Sequence, residues 1–126
     1  MESYNESALR HVADADRLAA DCHFDGAGYL IGYAVECAIK SALVATRPTA
    51  QTPHVHLPKL VEGAKKALHG RRPTSLFQVL RQADFMRGWE VNLRYKGNGA
   101  VEVKQFQRWR ADASRALAAA NLRRRP

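Results

Sequence analysis

Cysteine is scarce in this chain: Cys22 and Cys37 are the only two among 126 residues. Two thiols cannot form the dense framework of a small disulfide-stapled secreted fold. Both are expected to be small buried apolar residues, and a catalytic thiol is not expected. Long strand-like alternation is missing, and so is any internal repeat, which excludes sandwich, barrel and solenoid readings. The opening MESYNESALR lacks the basic-then-apolar order of a signal peptide. No pair of His, Cys, Asp or Glu falls at a metal-ligand spacing on a helix, and GNG (97–99) neither follows a strand nor has the length of a phosphate loop. No metal or cofactor is therefore expected. The apolar run 28–45 tempts a membrane reading, but Glu36 and Lys40 near its middle argue against a lipid-facing span. A cytoplasmic protein with no membrane partner is the expectation.

What the chain does have is positive charge, unevenly placed. The net charge is +8; residues 1–46 carry seven acids and three bases, whereas residues 47–126 carry seventeen bases and five acids. A positive field of that kind attracts phosphate backbones. The alternative is a solvated basic surface that only keeps the protein soluble. The length fits one domain, here 1–122, followed by a basic tail, 123–126, expected to be disordered.

Apolar spacing predicts helices throughout. Ser3 and Glu6 have capping-box spacing, and Leu9, Val12, Ala15, Leu18 and Cys22 form one face of a helix ending near His23. Asp25 is expected to cap a second helix running to about Thr46. Its apolar surface is wide (Leu30, Ile31, Ala34, Val35, Ala38, Ile39, Leu43), as in a central or interface helix. Gly28 and Gly32, four apart, invite the close approach of another helix backbone. Three prolines make 47–58 a loop. A short third helix follows over 57–70, ended by Gly70, then a break at 71–73. A fourth helix is predicted over 74–89, with Leu76, Phe77, Leu80 and Phe85 inward. WEVNLRYKGNG (89–99) reads as a loop or short extended piece docked by Trp89 and Tyr95. The last helix spans 101–122. The fold class is all-α: an up-down four-helix bundle with an additional short helix.

GYLIGYAVECAIKSAL, preceded by an amphipathic helix, resembles the HEPN domains (higher eukaryotes and prokaryotes nucleotide-binding), through Gly32, Tyr33, Glu36 and Lys40. HVHLPKLVE resembles that family's His-x-Leu ahead of a third helix (His56, Leu57, Leu60). WEVNLRY resembles its aromatic and Arg-Tyr segment ahead of the last helix (Trp89, Arg94, Tyr95). The resemblance covers essentially the whole chain in order. It implies a helical bundle that dimerises, in some members a metal-independent ribonuclease, in others a toxin or accessory domain paired with a nucleotidyltransferase-family protein. One departure is clear. Active ribonuclease members carry an Arg and a His with four to six residues between them, and no histidine follows Arg94. Arg47 and His54 have the spacing, but proline follows the arginine directly and the pair lies in a loop.

Metal-free RNA cleavage needs a base or an acid, which histidine supplies near neutrality, whereas arginine only stabilises developing charge. The candidate catalytic set is therefore Arg94, Glu36 and His56, the last brought close by the fold or across a dimer. Arg94, Tyr95, Lys96, Arg87 and Lys40 are the candidate nucleic-acid or nucleotide-binding residues. Trp89, Tyr95, Phe106 and Trp109 among arginines would make a stacking surface, or else fill the core. Three roles are open to Glu36: pairing at the surface with Lys40, holding the cleft through Tyr33, Arg94 or another bundle residue, or acting as a base. Structural pairing with Arg94 is the favoured one. Three functions remain open: RNA or nucleotide binding in a bacterial toxin–antitoxin or stress system, a catalytically silent dimerising module, and a ribonuclease with an altered site.

Overall fold

The computed structural model describes residues 3–46, 55–68 and 75–122, and among these it is all-helical. The helices are α1 (Tyr4–Ala20), α2 (Phe24–Thr46), α3 (Lys59–Leu68), α4 (Ser75–Leu80) and α5 (Val103–Ala119), with a 3-10 helix at Val91–Tyr95. The expected break at 71–73, the Gly70 cap, the basic tail, most of the 47–58 loop and the Arg47–His54 pair lie outside the described residues.

α2 is the centre. α1 packs along it, α5 crosses it, and α3 and the 3-10 helix rest against it, while α4 lies on α5 and α3. Ala27, Ile31, Ala34, Val35, Ala38 and Ile39 are buried on α2, opposite Ala8, Val12 and Ala15 of α1 and Phe106, Trp109, Ala113, Ala116 and Leu117 of α5. The stretch Phe24–Ala45 is long and apolar enough to cross a membrane, with a mean hydropathy of 1.3, and half of that window is buried inside the bundle.

Several local expectations are corrected. The α1 N-terminus does begin after Ser3, but Ser3 caps nothing with its side chain and instead bonds Asn5. Cys22 is exposed, not buried. It takes the left-handed position (φ 61°) that closes α1, where the amide of His23 reaches Leu18 O and that of Cys22 reaches Ala19 O. Asn121 (φ 64°) ends α5 in the same way. Asp25 lies inside the first turn of α2, and its carboxylate accepts the amides of Gly99 and Val101, each at 2.8 Å. It therefore fastens the glycine turn ahead of α5, which begins at Val103, not at residue 101.

The fourth helix stops at Leu80 where the spacing predicts residue 89. Tertiary bonds win over local helix propensity in 81–89. Asp112, buried on α5, takes the amide of Met86 at 2.8 Å and also binds Arg115. Met86 (φ 51°) and Gly88 (φ 86°) adopt left-handed backbone. The indole of Trp109 donates to Arg87 O at 2.9 Å. The resulting turns seat Phe85, Met86 and Trp89 in the core. Burial holds the Asp112 carboxyl above its ordinary pKa, an effect that the Met86 amide and Arg115 only partly offset.

The small residues of α2 do admit a close neighbour, but it is a side chain and not a helix backbone. A methyl group on Gly32 would lie 1.8 Å from the Trp89 ring, and one on Gly28 would lie 2.9 Å from Val101. The Trp89 indole donates to Gly28 O at 3.0 Å. Gly32→Ala is expected to lower stability by about 2 kcal/mol, as overpacking a tight core does. Gly63→Ala in α3, where a methyl meets nothing within 4 Å, should instead gain up to about 1 kcal/mol of helix propensity. Urea melts of the two variants check this; equal stability would contradict the notch.

Candidate functional site

α2 carries Tyr29, Tyr33, Glu36 and Lys40 at steps of four, three and four, so they follow one another along a single face. Neighbouring elements bring partners to this row at different heights. His11 arrives from α1, His56 from the segment before α3, and Trp89 and Arg94 from the connection into α5.

Glu36 is the deepest member, 3% exposed. A carboxylate there must be fully bonded or it would be costly. Its Oε1 accepts the Leu57 amide at 3.1 Å, and both oxygens lie 3.1 Å from His56 Nδ1. The Leu57 bond ties the entry of α3 to α2. The His56 contact places an Nδ1 proton against the carboxylate and leaves the Nε2 edge on the opposite side of a ring that is 47% exposed. A carboxylate-held imidazole of this kind is the arrangement of a general base.

The expected Arg94 partnership of Glu36 is therefore replaced by His56 and Leu57. The reason is position. Arg94 reaches α2 at Tyr29, two turns or about 10 Å along the axis from Glu36. The guanidinium bonds the Tyr29 hydroxyl, which holds it above its ordinary pKa, and it lies 4.8 Å over the Tyr95 ring. The surface pairing of Glu36 with Lys40 is not made either; the Lys40 ammonium sits 5.9 Å over the Tyr4 ring.

Tyr33 links the two ends. Its hydroxyl shares a 2.6 Å hydrogen bond with that of Tyr29, and its ring centroid is 6.0 Å from His11, 6.1 Å from His56 and 5.9 Å from Trp89. Burial, then the Tyr29 bond and the nearby Glu36 charge, push the Tyr33 phenol up to about 12. Burial and Arg10 lower the His11 pKa, against the opposite pull of Asp14 and Glu36. His11 and Tyr29 were missed by the motif reading. Tyr29 stands one turn before Tyr33 on the same face, a signal the sequence does contain. His11 adjoins the buried Val12 and carries no such mark.

The structure thus brings Glu36 and His56 into contact and puts Arg94 at the far end of the tyrosine pair. Lys40 lies about 16 Å along α2 from Tyr29 and does not join the Arg94 end. Lys96 stays beside Arg94 in sequence, its ammonium 3.9 Å from Glu90. Arg87 lines a cavity on α3 and the 81–90 turns. Tyr95, expected to dock, is 74% exposed, whereas Trp89, Phe106 and Trp109 are core residues. Among the described residues no three His, Cys, Asp or Glu side chains gather as a metal site. No protein-family model, curated protein or solved structure matches the chain.

Glu36→Ala strips the Leu57 amide and the His56 ring of their acceptor, so it should cost about 2 kcal/mol. Glu102→Ala, at an exposed position, should stay within about 0.5 kcal/mol of wild type. Indistinguishable melting temperatures would contradict the buried anchor. The raised Tyr33 phenol makes a separate prediction. Its neutral form is favoured on folding, so that stability is fully present below pH 10 and is lost as pH rises through about 12. Urea melts across that window should fall less steeply for Tyr33→Phe than for wild type.

Proposed function

We propose that this protein is a HEPN-type helical protein of a bacterial toxin–antitoxin or stress and defence system, cytoplasmic, which binds RNA or nucleotide. The reading is carried by the Arg94–Tyr95 pair: a guanidinium lies 4.8 Å over a ring that is 74% exposed. An open aromatic face stacks an unpaired base, and the adjoining cation takes its phosphate. A nucleotidyltransferase-family protein is the proposed partner, on the strength of the HEPN resemblance. A second copy of the chain is the proposed dimer mate. Leu30, Cys37 and Val44 recur at seven-residue steps on the partly exposed side of α2, the spacing of a helix–helix seam.

One observation favours a second reading, an atypical metal-independent ribonuclease. The Glu36–His56 contact replaces the histidine absent after Arg94. In that reading His56 Nε2 takes the proton of a ribose 2′-hydroxyl as its oxygen attacks phosphorus. The 5′-oxygen leaves, protonated from water, while Arg94, at the far end of the tyrosine pair, holds a neighbouring phosphate of the strand.

Fluorescence anisotropy of a labelled single-stranded RNA at several salt concentrations tests both readings. Affinity should fall as salt rises, and Tyr95→Ala or Arg94→Ala should weaken it about tenfold. Binding unchanged in both variants would remove the RNA-binding reading. Incubating the same RNA with wild type and His56→Ala decides the second: cleavage lost in the variant supports it, and equal rates, or no cleavage by either, sink it.

A further inference from the structure

A cavity of about 390 Å³ opens between α3 and the turns that follow α4. That size falls within the range of small-molecule sites. Leu57, Val61, Phe85 and Trp89, all buried, line it with apolar surface. Four more of its lining residues, Glu62, Lys65, Arg81 and Arg87, are charged, and Glu90 makes a fifth. The acids are already engaged: Lys65 holds Glu62 at 2.9 Å, and Lys96 stands 3.9 Å from Glu90. Arg81 and Arg87 form no ion pair among the described residues. The lining thus carries three bases against two acids, and its two bases outside any ion pair are guanidiniums beside apolar surface.

We propose that this cavity binds a small amphipathic anion, its apolar body against Leu57, Val61, Phe85 and Trp89 and its carboxylate or phosphate on Arg81 and Arg87. Guanidinium suits either head group because its fork matches two oxygens at once. A bare inorganic ion gains only the head-group contact, whereas an amphiphile also buries its apolar body there. A cationic amphiphile of the same length would meet two like charges. The site goes beyond the RNA-binding reading and does not rest on it, since Arg94, Tyr95 and His56 take no part. It does adjoin the Glu36–His56 pair, because Leu57 lines the cavity and also gives its amide to Glu36.

The probe is 8-anilinonaphthalene-1-sulfonate, an aromatic anion that fluoresces when it leaves water, titrated into the full chain. Trp89 in the cavity wall supplies a second readout through energy transfer to the dye. Octanoate and phenyl phosphate are then added as competitors, with octylamine as the cationic control. Saturable dye binding is expected, displaced by octanoate or phenyl phosphate and not by octylamine; the better competitor identifies the head group. Arg81→Ala combined with Arg87→Ala should weaken dye binding about tenfold or more. Ala83→Trp, which fills the cavity from an exposed position, should abolish it. All three substitutions are at exposed residues, and thermal melts confirm that the variants fold. Dye that fails to bind, binds both variants as it binds wild type, or is displaced equally by octylamine overturns the proposal. RNA binding measured on Ala83→Trp stands or falls by itself, so loss of the cavity and loss of the RNA-binding reading are told apart.

Discussion

The seat of one indole on α2 organises the half of the molecule where its chemistry gathers. Trp89 lies against Gly32 so closely that no side chain fits there, and it bonds the carbonyl of Gly28. The same ring stands 6.0 Å from Tyr29 and 5.9 Å from Tyr33, and it forms part of the cavity wall. Two residues later the 3-10 helix begins, and it delivers Arg94 to Tyr29. Glycine costs a helix interior about 1 kcal/mol relative to alanine. Burying a tryptophan with its N–H satisfied returns more than that, so the helix tolerates its weakest residues where they are most needed.

The charge inside α2 is held by a different economy of contacts. Glu36 is deep enough that neither the half-buried Lys40 nor the distant Arg94 serves it. Its acceptors are filled by a backbone amide and an imidazole that come from one short segment, His56–Leu57. A single carboxylate thus fixes where α3 starts and how His56 is turned. The structural and chemical roles of Glu36 are one set of bonds, and a change that disturbs the imidazole also loosens the helix entry.

Much of the helical framework was legible because it is written in apolar spacing: α1, α2 and α5 each show a recurring buried stripe. The errors cluster where a long-range bond decides a local conformation. Residues 81–88 have helical spacing, yet an aspartate 26 residues past Met86 captures that amide and bends the chain. Gly28 and Gly32 announced a close approach without saying whether a backbone or a ring would arrive. The candidate site was half legible. Glu36 and His56 could be singled out by type and setting, but their pairing crosses 20 residues of sequence. Arg94 was matched to Glu36 because helix two and the last helix are neighbours; being neighbours leaves open which turn of α2 is met, and the turn met is Tyr29. Tyr95 and Trp89 look alike as aromatic residues, and only the packing tells the docked one from the open one.

The asymmetry of charge is set by the sequence, and the fold decides how the acids are used. Three of the seven acids in residues 1–46 bind the later part of the chain: Asp16, Asp25 and Glu36. Among the described residues only Asp16 meets an arginine there, Arg110, held through two bonds at 2.8 and 3.0 Å. Asp25 takes two backbone amides, and Glu36 takes an amide and an imidazole. These carboxylates fasten the bundle while cancelling little of the positive charge around them. The guanidiniums of Arg81, Arg87 and Arg94 in the basic half stay exposed. Exposed arginines beside an open ring at one place and an apolar cavity at another are suited to anions of different shape, a stacked base with its phosphate and a compact amphiphile. The surplus positive charge is compositional, seventeen bases against five acids in residues 47–126, and the fold leaves part of it exposed where the two proposed anion sites draw on it.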